Sequence, residues 1–117
     1  MENIIIPAHP IPNMALGDQI RLDQYLINLE NSPSRLMLRG SLITLIDYEI
    51  IYAGLGQADR QRMDDIRNQV RQHLQGAEDY LLVEYIMGIV VQATRQQRII
   101  IFNRVTNLFR GRALRQH

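Results

Sequence analysis

The chain has 117 residues, no cysteine, a formal net charge of +1, and 46% hydrophobic against 21% charged residues. That length fits one domain able to bury a core without staples, and the composition excludes wholesale disorder. Lack of cysteine excludes a disulfide framework and a thiolate metal site, and fits a reducing compartment. No basic stretch precedes an apolar one at the N-terminus, as a signal peptide would require. The expected location is therefore intracellular (the cytoplasm of a bacterial or host cell) and not secreted.

Residues 1–15 read as an extended arm. Pro7, Pro10 and Pro12 each remove a backbone donor and push the preceding residue toward extended geometry. Ile4, Ile5 and Ile6 are β-branched strand formers. They must cover a groove on their own domain or on a neighbour, which makes them a candidate partner-binding arm.

Residues 16–111 read as a helical domain. The first helix is expected over residues 18–30, with Asp18 as N-cap and Leu22, Tyr25, Leu26 and Leu29 on one face. Ser32-Pro33 then signals a second helix, a cap followed by proline at the first helical position. It extends to about residue 53, where Gly54 and Gly56 stop it. Its polar stripe is Gly40, Ser41, Thr44, Asp47 and Tyr48, and Gly40 can split it. Residues 42–52 are also rich in strand formers, so helix and strand both stay open there.

The third helix, residues 58–75, has a narrow apolar stripe of Met63, Ile66, Val70 and Leu74. Arg60, Asp64, Arg67 and Arg71 follow three or four apart, a spacing that allows intrahelical ion pairs. The fourth helix, residues 78–94, is apolar nearly all round, with only Glu84, Gly88 and Gln92 as a polar line. Such a helix is central and buried. Since the chain has little other helix to cover it, a homodimer interface is expected at Leu82, Tyr85, Ile86, Gly88, Ile89, Val90 and Ala93. Glu84 is expected to pair with an arginine. The apolar run over residues 80–93 is shorter than the roughly 20 residues of a membrane span. Residues 36–55 carry Arg39, Asp47 and Glu49, so they do not read as a span either.

The fifth helix, residues 97–110, places Ile101, Val105, Leu108 and Phe109 on one face. Ile99 to Phe102 can instead form a strand paired with Ile4 to Ile6, giving a small α+β fold as the alternative. Residues 112–117 read as a short basic tail.

Charge is lopsided. Residues 1–84 hold seven arginines and all twelve acids, a net of −5. Arg95, Arg98, Arg104, Arg110, Arg112 and Arg115 then give +6 with no acid. These six are candidate anion or nucleic-acid contacts, although no RRM, KH or helix-turn-helix signature accompanies them. All thirteen basic residues are arginine. Codon constraint in an overlapping gene, avoidance of lysine modification, and selection for arginine's planar fork are the three explanations.

Catalytic patterns are missing. His9, His73 and His117 share no ligand spacing. No phosphate-binding glycine loop and no nucleophile elbow is present. Asp64-Asp65 and Glu78-Asp79 are neighbours on predicted helices and do not converge on a cleft. The expectation is an all-α domain of about five helices, without catalytic residues, metal or cofactor. It is read as an accessory or regulatory protein, virus- or phage-encoded, that forms a homodimer and binds a partner protein. The alternative is an RNA- or DNA-binding dimer using the C-terminal arginines.

Overall fold

A computed structural model describes residues 10–108. The order is α1 (Leu16–Glu30), α2 (Arg35–Ile51), a 3-10 turn (Tyr52–Gly54), α3 (Gln57–Leu74), α4 (Leu81–Val90) and α5 (Arg95–Thr106). The fold is all-α, with five α-helices and no strand among the described residues. Residues 99–102 lie inside α5, so the α+β alternative fails there. Its other half, Ile4 to Ile6, lies outside the described residues.

The hub is α2, which packs on α1, α3, α4 and α5. Leu38, Leu42, Leu45 and Ile46 repeat at helical spacing and are completely or almost completely buried. Gly40 does not split the helix, because packing on both sides of it outweighs a propensity cost of about 1 kcal/mol. Around α2 stand Leu22, Leu26 and Leu29 of α1, Leu74 of α3, Val83, Ile86, Met87 and Val90 of α4, and Ile101 and Val105 of α5. Each such side chain contributes about 1.5–3 kcal/mol on burial.

Tyr48 corrects the expected polar stripe of α2. It is buried, donates its hydroxyl to Asp64 of α3, and stacks on Tyr52 with ring centroids 4.9 Å apart. Arg67 lies over the Tyr48 ring at 4.9 Å, and Arg60 over the Tyr52 ring at 5.2 Å. This ladder, together with Leu74, seats α3 on α2. Val70 is half-buried against the core and Met63 is half-buried beside it, whereas Ile66 is exposed although it belonged to the expected apolar stripe.

The first segment of the chain to be described is part of the core. Ile11 is 1% exposed. Its N–H donates to Gln19 Oε1 at 2.8 Å, and Gln19 Nε2 donates to the Met14 carbonyl at 2.9 Å. Gln97 Nε2 of α5 donates to the Pro12 carbonyl at 2.9 Å. Two buried glutamine amides thus supply the partners this irregular backbone would otherwise lack.

The helix starts differ from expectation in α2, which begins at Arg35 and not at Pro33, and in three other helices for clear reasons. The expected N-terminus of α4 at residue 78 fails because Asp79 has φ 62°, a left-handed conformation that ends regular helix. Glu78 and Asp79 therefore precede the helix. In α5, Thr94 is the N-cap: its hydroxyl accepts from Gln97 N–H at 3.2 Å, and Gln97 Oε1 accepts from Thr94 N–H at 2.9 Å. This capping box starts the helix at Arg95, two residues earlier than expected. Similarly, α1 starts at Leu16, so Asp18 is not its N-cap. It lies in the first turn, paired with Arg21.

Arginine forks finish three helix ends. Arg39 donates to the carbonyls of Val105 and Thr106 at the end of α5, at 3.2 and 2.7 Å. Arg60 donates to Tyr52 and Ala53 after α2, at 3.3 and 3.0 Å. Arg98 donates to Val90, Val91 and Glu49, each at 2.9 Å. The last carbonyls of a helix have no intrahelical donor, and a cation there also suits the dipole. Among the described residues no helix is long and apolar enough to cross a membrane.

Candidate interaction surface

The ten residues of α4 divide into two faces. Val83, Ile86, Met87 and Val90 point into the core and are buried. On the opposite side Leu81, Tyr85 and Gly88 recur at i, i+4 and i+7, and Gln92 continues the row one turn beyond the helix. Leu81 is 46% exposed and Tyr85 49%, a large fraction for side chains of this size. Leu82, Ile89 and Ala93 flank them, half-buried.

The sequence-derived interface is therefore corrected at two positions. Ile86 and Val90 are completely buried within their own chain and cannot meet another one without unfolding. The reason is that α1, α2 and α5 all reach α4, so the chain does contain enough helix to cover its inner face. Leu81 and Gln92 belong to the exposed row and were missed. The signal was available: with Tyr85 and Gly88 they share one helical stripe, which is invisible when the whole segment is read as uniformly apolar.

This face has fixed surroundings. Tyr85 leans on Tyr25 of α1, with ring centroids 5.4 Å apart and planes inclined at 34°. Glu84 lies 3.3 Å from Arg71 Nε of α3, so the acid on this apolar helix is ion-paired, as expected from sequence. Gly88 is exposed, and a Cβ built on it meets nothing within 4 Å. Beside it opens a depression of about 250 Å³ with a mainly polar lining, bordered by Asn13, Met14, Asp18, Ile89, Gln92 and Gln97. The exposed face thus offers a bulky end at Leu81 and Tyr85 and a hollow end at Gly88.

The three described arginines of the basic end have different surroundings. Arg98 is committed to three backbone carbonyls. Arg104 donates to Asp23 of α1 at 3.0 Å, with its side chain 16% exposed. Arg95 is exposed at the start of α5. Arg110, Arg112 and Arg115 lie outside the described residues. Both guanidinium groups of the expected phosphate contacts Arg98 and Arg104 fasten helices to one another.

Among the described residues no three His, Cys, Asp or Glu side chains are grouped to hold a metal ion. His73 is exposed. The Tyr48 phenol is pushed well above its ordinary value, first by burial and then by its bond to Asp64. Asp64 also pairs with Arg67 at 3.7 Å, so this cluster joins α2 to α3. No protein-family model matches the chain, and no curated protein or solved structure matches it either.

Proposed function

We propose that this protein is a non-enzymatic accessory or regulatory protein that works by docking protein chains on the outer face of α4. The first occupant is a second copy of itself, giving a homodimer that in turn engages a partner protein. One observation carries the reading. Leu81 and Tyr85 stand about half exposed around an uncovered Gly88, on a helix whose other face is core. Contiguous apolar surface of this kind marks interaction sites in soluble domains. The arginine-only composition supports a compact viral or phage genome as the source, through codon constraint.

The nucleic-acid reading has less support, since Arg98 and Arg104 have intramolecular partners. Size exclusion with light scattering tests the choice directly. The wild type should be dimeric at micromolar concentration and bind RNA or DNA only weakly at physiological salt. Gly88→Leu should give a folded monomer: the added side chain meets nothing in its own chain, and leaving glycine favours the helix by about 0.8–1 kcal/mol. A wild-type monomer that binds RNA below micromolar concentration would overturn the proposal.

A further inference from the structure

We infer that α3 is a hinged flap: it swings off α2 as one unit while α1, α2, α4 and α5 stay folded. The inference does not depend on the docking reading of α4. Its ground is unequal anchoring. Helices α1, α4 and α5 each pack on α2 and on a further helix of that set. By contrast, α3 has one substantial neighbour, α2. Burial follows the same division. The body of four helices holds Leu38, Leu42, Ile86 and Ile101 completely buried, among others, whereas α3 adds Leu74, at its last position, as its buried residue. An element with few buried apolar contacts opens at a lower free energy than the body it leans on.

Along the rest of its length the seat of α3 is largely polar. The Tyr48 hydroxyl donates to Asp64, and Arg67 lies over the Tyr48 ring at 4.9 Å. Arg60 lies over the Tyr52 ring at 5.2 Å and donates to the Tyr52 and Ala53 carbonyls. Arg71 reaches Glu84 of α4 at 3.3 Å. The paired side chains Asp64, Arg67, Arg71 and Glu84 each keep roughly a third of their surface in water. Ion pairs this exposed contribute little, so water replaces the partners readily when α3 leaves. Gly56 stands just before the helix and Gly76 two residues after it. Both are exposed, and a Cβ on either meets nothing within 4 Å, so the flanking backbone is uncrowded where a hinge must absorb the motion. Opening uncovers the Tyr48 ring, which is 3% exposed in the closed protein.

Native-state hydrogen exchange, read at single amides by NMR in low urea, tests the flap. Amides within α3 should exchange about 100-fold or more faster than the slowest amides of α2 and α5, and should share one opening free energy. Their urea dependence should be the weaker one, because a partial opening exposes less surface. Two variants separate a flap from whole-chain unfolding. Ile101→Val lies in α5, which has no substantial contact with α3. It should speed the slow amides of α2 and α5 about two- to tenfold and leave those of α3 unchanged, since Ile101 stays packed while α3 is open. Tyr48→Phe should speed the α3 amides about two- to tenfold, since the bond to Asp64 breaks on opening. Exchange of α3 in step with α2 and α5, with the same urea dependence and the same response to Ile101→Val, would overturn the inference. So would α3 amides that exchange one by one from the helix ends with no shared opening.

Discussion

Replacing Arg98 by lysine tests whether this fold depends on arginine as a fork and not merely as a cation. Its guanidinium donates from Nε to Val90, from Nη1 to Glu49 and from Nη2 to Val91, each at 2.9 Å. These carbonyls come from the ends of two different helices, so a single planar group joins α2, α4 and α5. Lysine keeps the charge but carries its donors on one tetrahedral nitrogen, which can satisfy one of these carbonyls well. Hydrogen bonds to charged groups contribute about 1.5–3 kcal/mol each. The bond to Val91 is exposed and belongs at or below the low end. Losing two of the three bonds should cost about 2–4 kcal/mol, a large part of the roughly 5–15 kcal/mol that holds a domain folded. In a domain of this size the melting temperature should fall by roughly 8–25 °C. Thermal and urea unfolding followed by far-UV circular dichroism measure the change. Arg95→Lys, at an exposed position three residues earlier, is the control and should stay within about 0.5 kcal/mol of wild type. Equal stability of the Arg98 and Arg95 variants would refute the argument.

Ile11→Ala should destabilise by about 2–5 kcal/mol in urea unfolding, because a fully buried side chain leaves a cavity. Deleting residues 1–12 should do at least as much, since it removes Ile11 together with the Pro12 carbonyl bound by Gln97. Gln97→Ala removes one half of the capping box and the Pro12 contact together, an expected loss of about 1–3 kcal/mol, and should deprotect amides near residue 12 in hydrogen exchange. Tyr48→Phe deletes the bond to Asp64, at about 0.5–1.5 kcal/mol near neutral pH. The folded phenol holds its proton above the ordinary value, so its stabilisation is complete below about pH 10 and declines above it, as the unfolded phenol ionises first. Alkaline unfolding should accordingly be less steep in Tyr48→Phe than in wild type.

Much of the fold was legible because periodicity reports burial. Leu22, Leu26 and Leu29 of α1 and Ile101 and Val105 of α5 follow directly from spacing, whereas Leu108 lies beyond the end of α5 at Thr106 and Phe109 outside the described residues. Hierarchy was harder to read. Uniform apolarity made α4 look central, yet α2 is the hub, because Tyr48 counts as polar by type and behaves as core once its hydroxyl finds Asp64. The buried amides were equally hidden. Gln19 and Gln97 look like surface residues, and only the third dimension reveals that they hold the backbone around Ile11 and Pro12. Acids at Glu78 and Asp79 suggested a helix start, but residue type does not disclose a left-handed φ at Asp79. Of the candidate interface residues, Tyr85 and Gly88 are exposed and Ile86 and Val90 are buried, a division that spacing alone does not make, since assigning inward and outward positions needs the neighbouring helices as a reference.

The arginine-only composition now has a partial physical account. At Arg39, Arg60 and Arg98 the guanidinium reaches two or three carbonyls at once, a task that lysine performs poorly. At Arg60 and Arg67 the flat group also stacks on a tyrosine ring. These contacts explain why arginine stands at a minority of its positions. They do not reach Arg21 and Arg62, which lie on solvated helix faces and make exposed ion pairs with Asp18 and Asp59 that lysine could make as well. Fork geometry is therefore insufficient to exclude lysine everywhere, and a constraint on the gene or on lysine chemistry must act in addition. Arg62→Lys should unfold as the wild type does, whereas Arg98→Lys should not. A chain in which the solvated arginines alone are changed to lysine would separate the two causes: unchanged unfolding and dimerisation would place the remaining selection outside the folded protein.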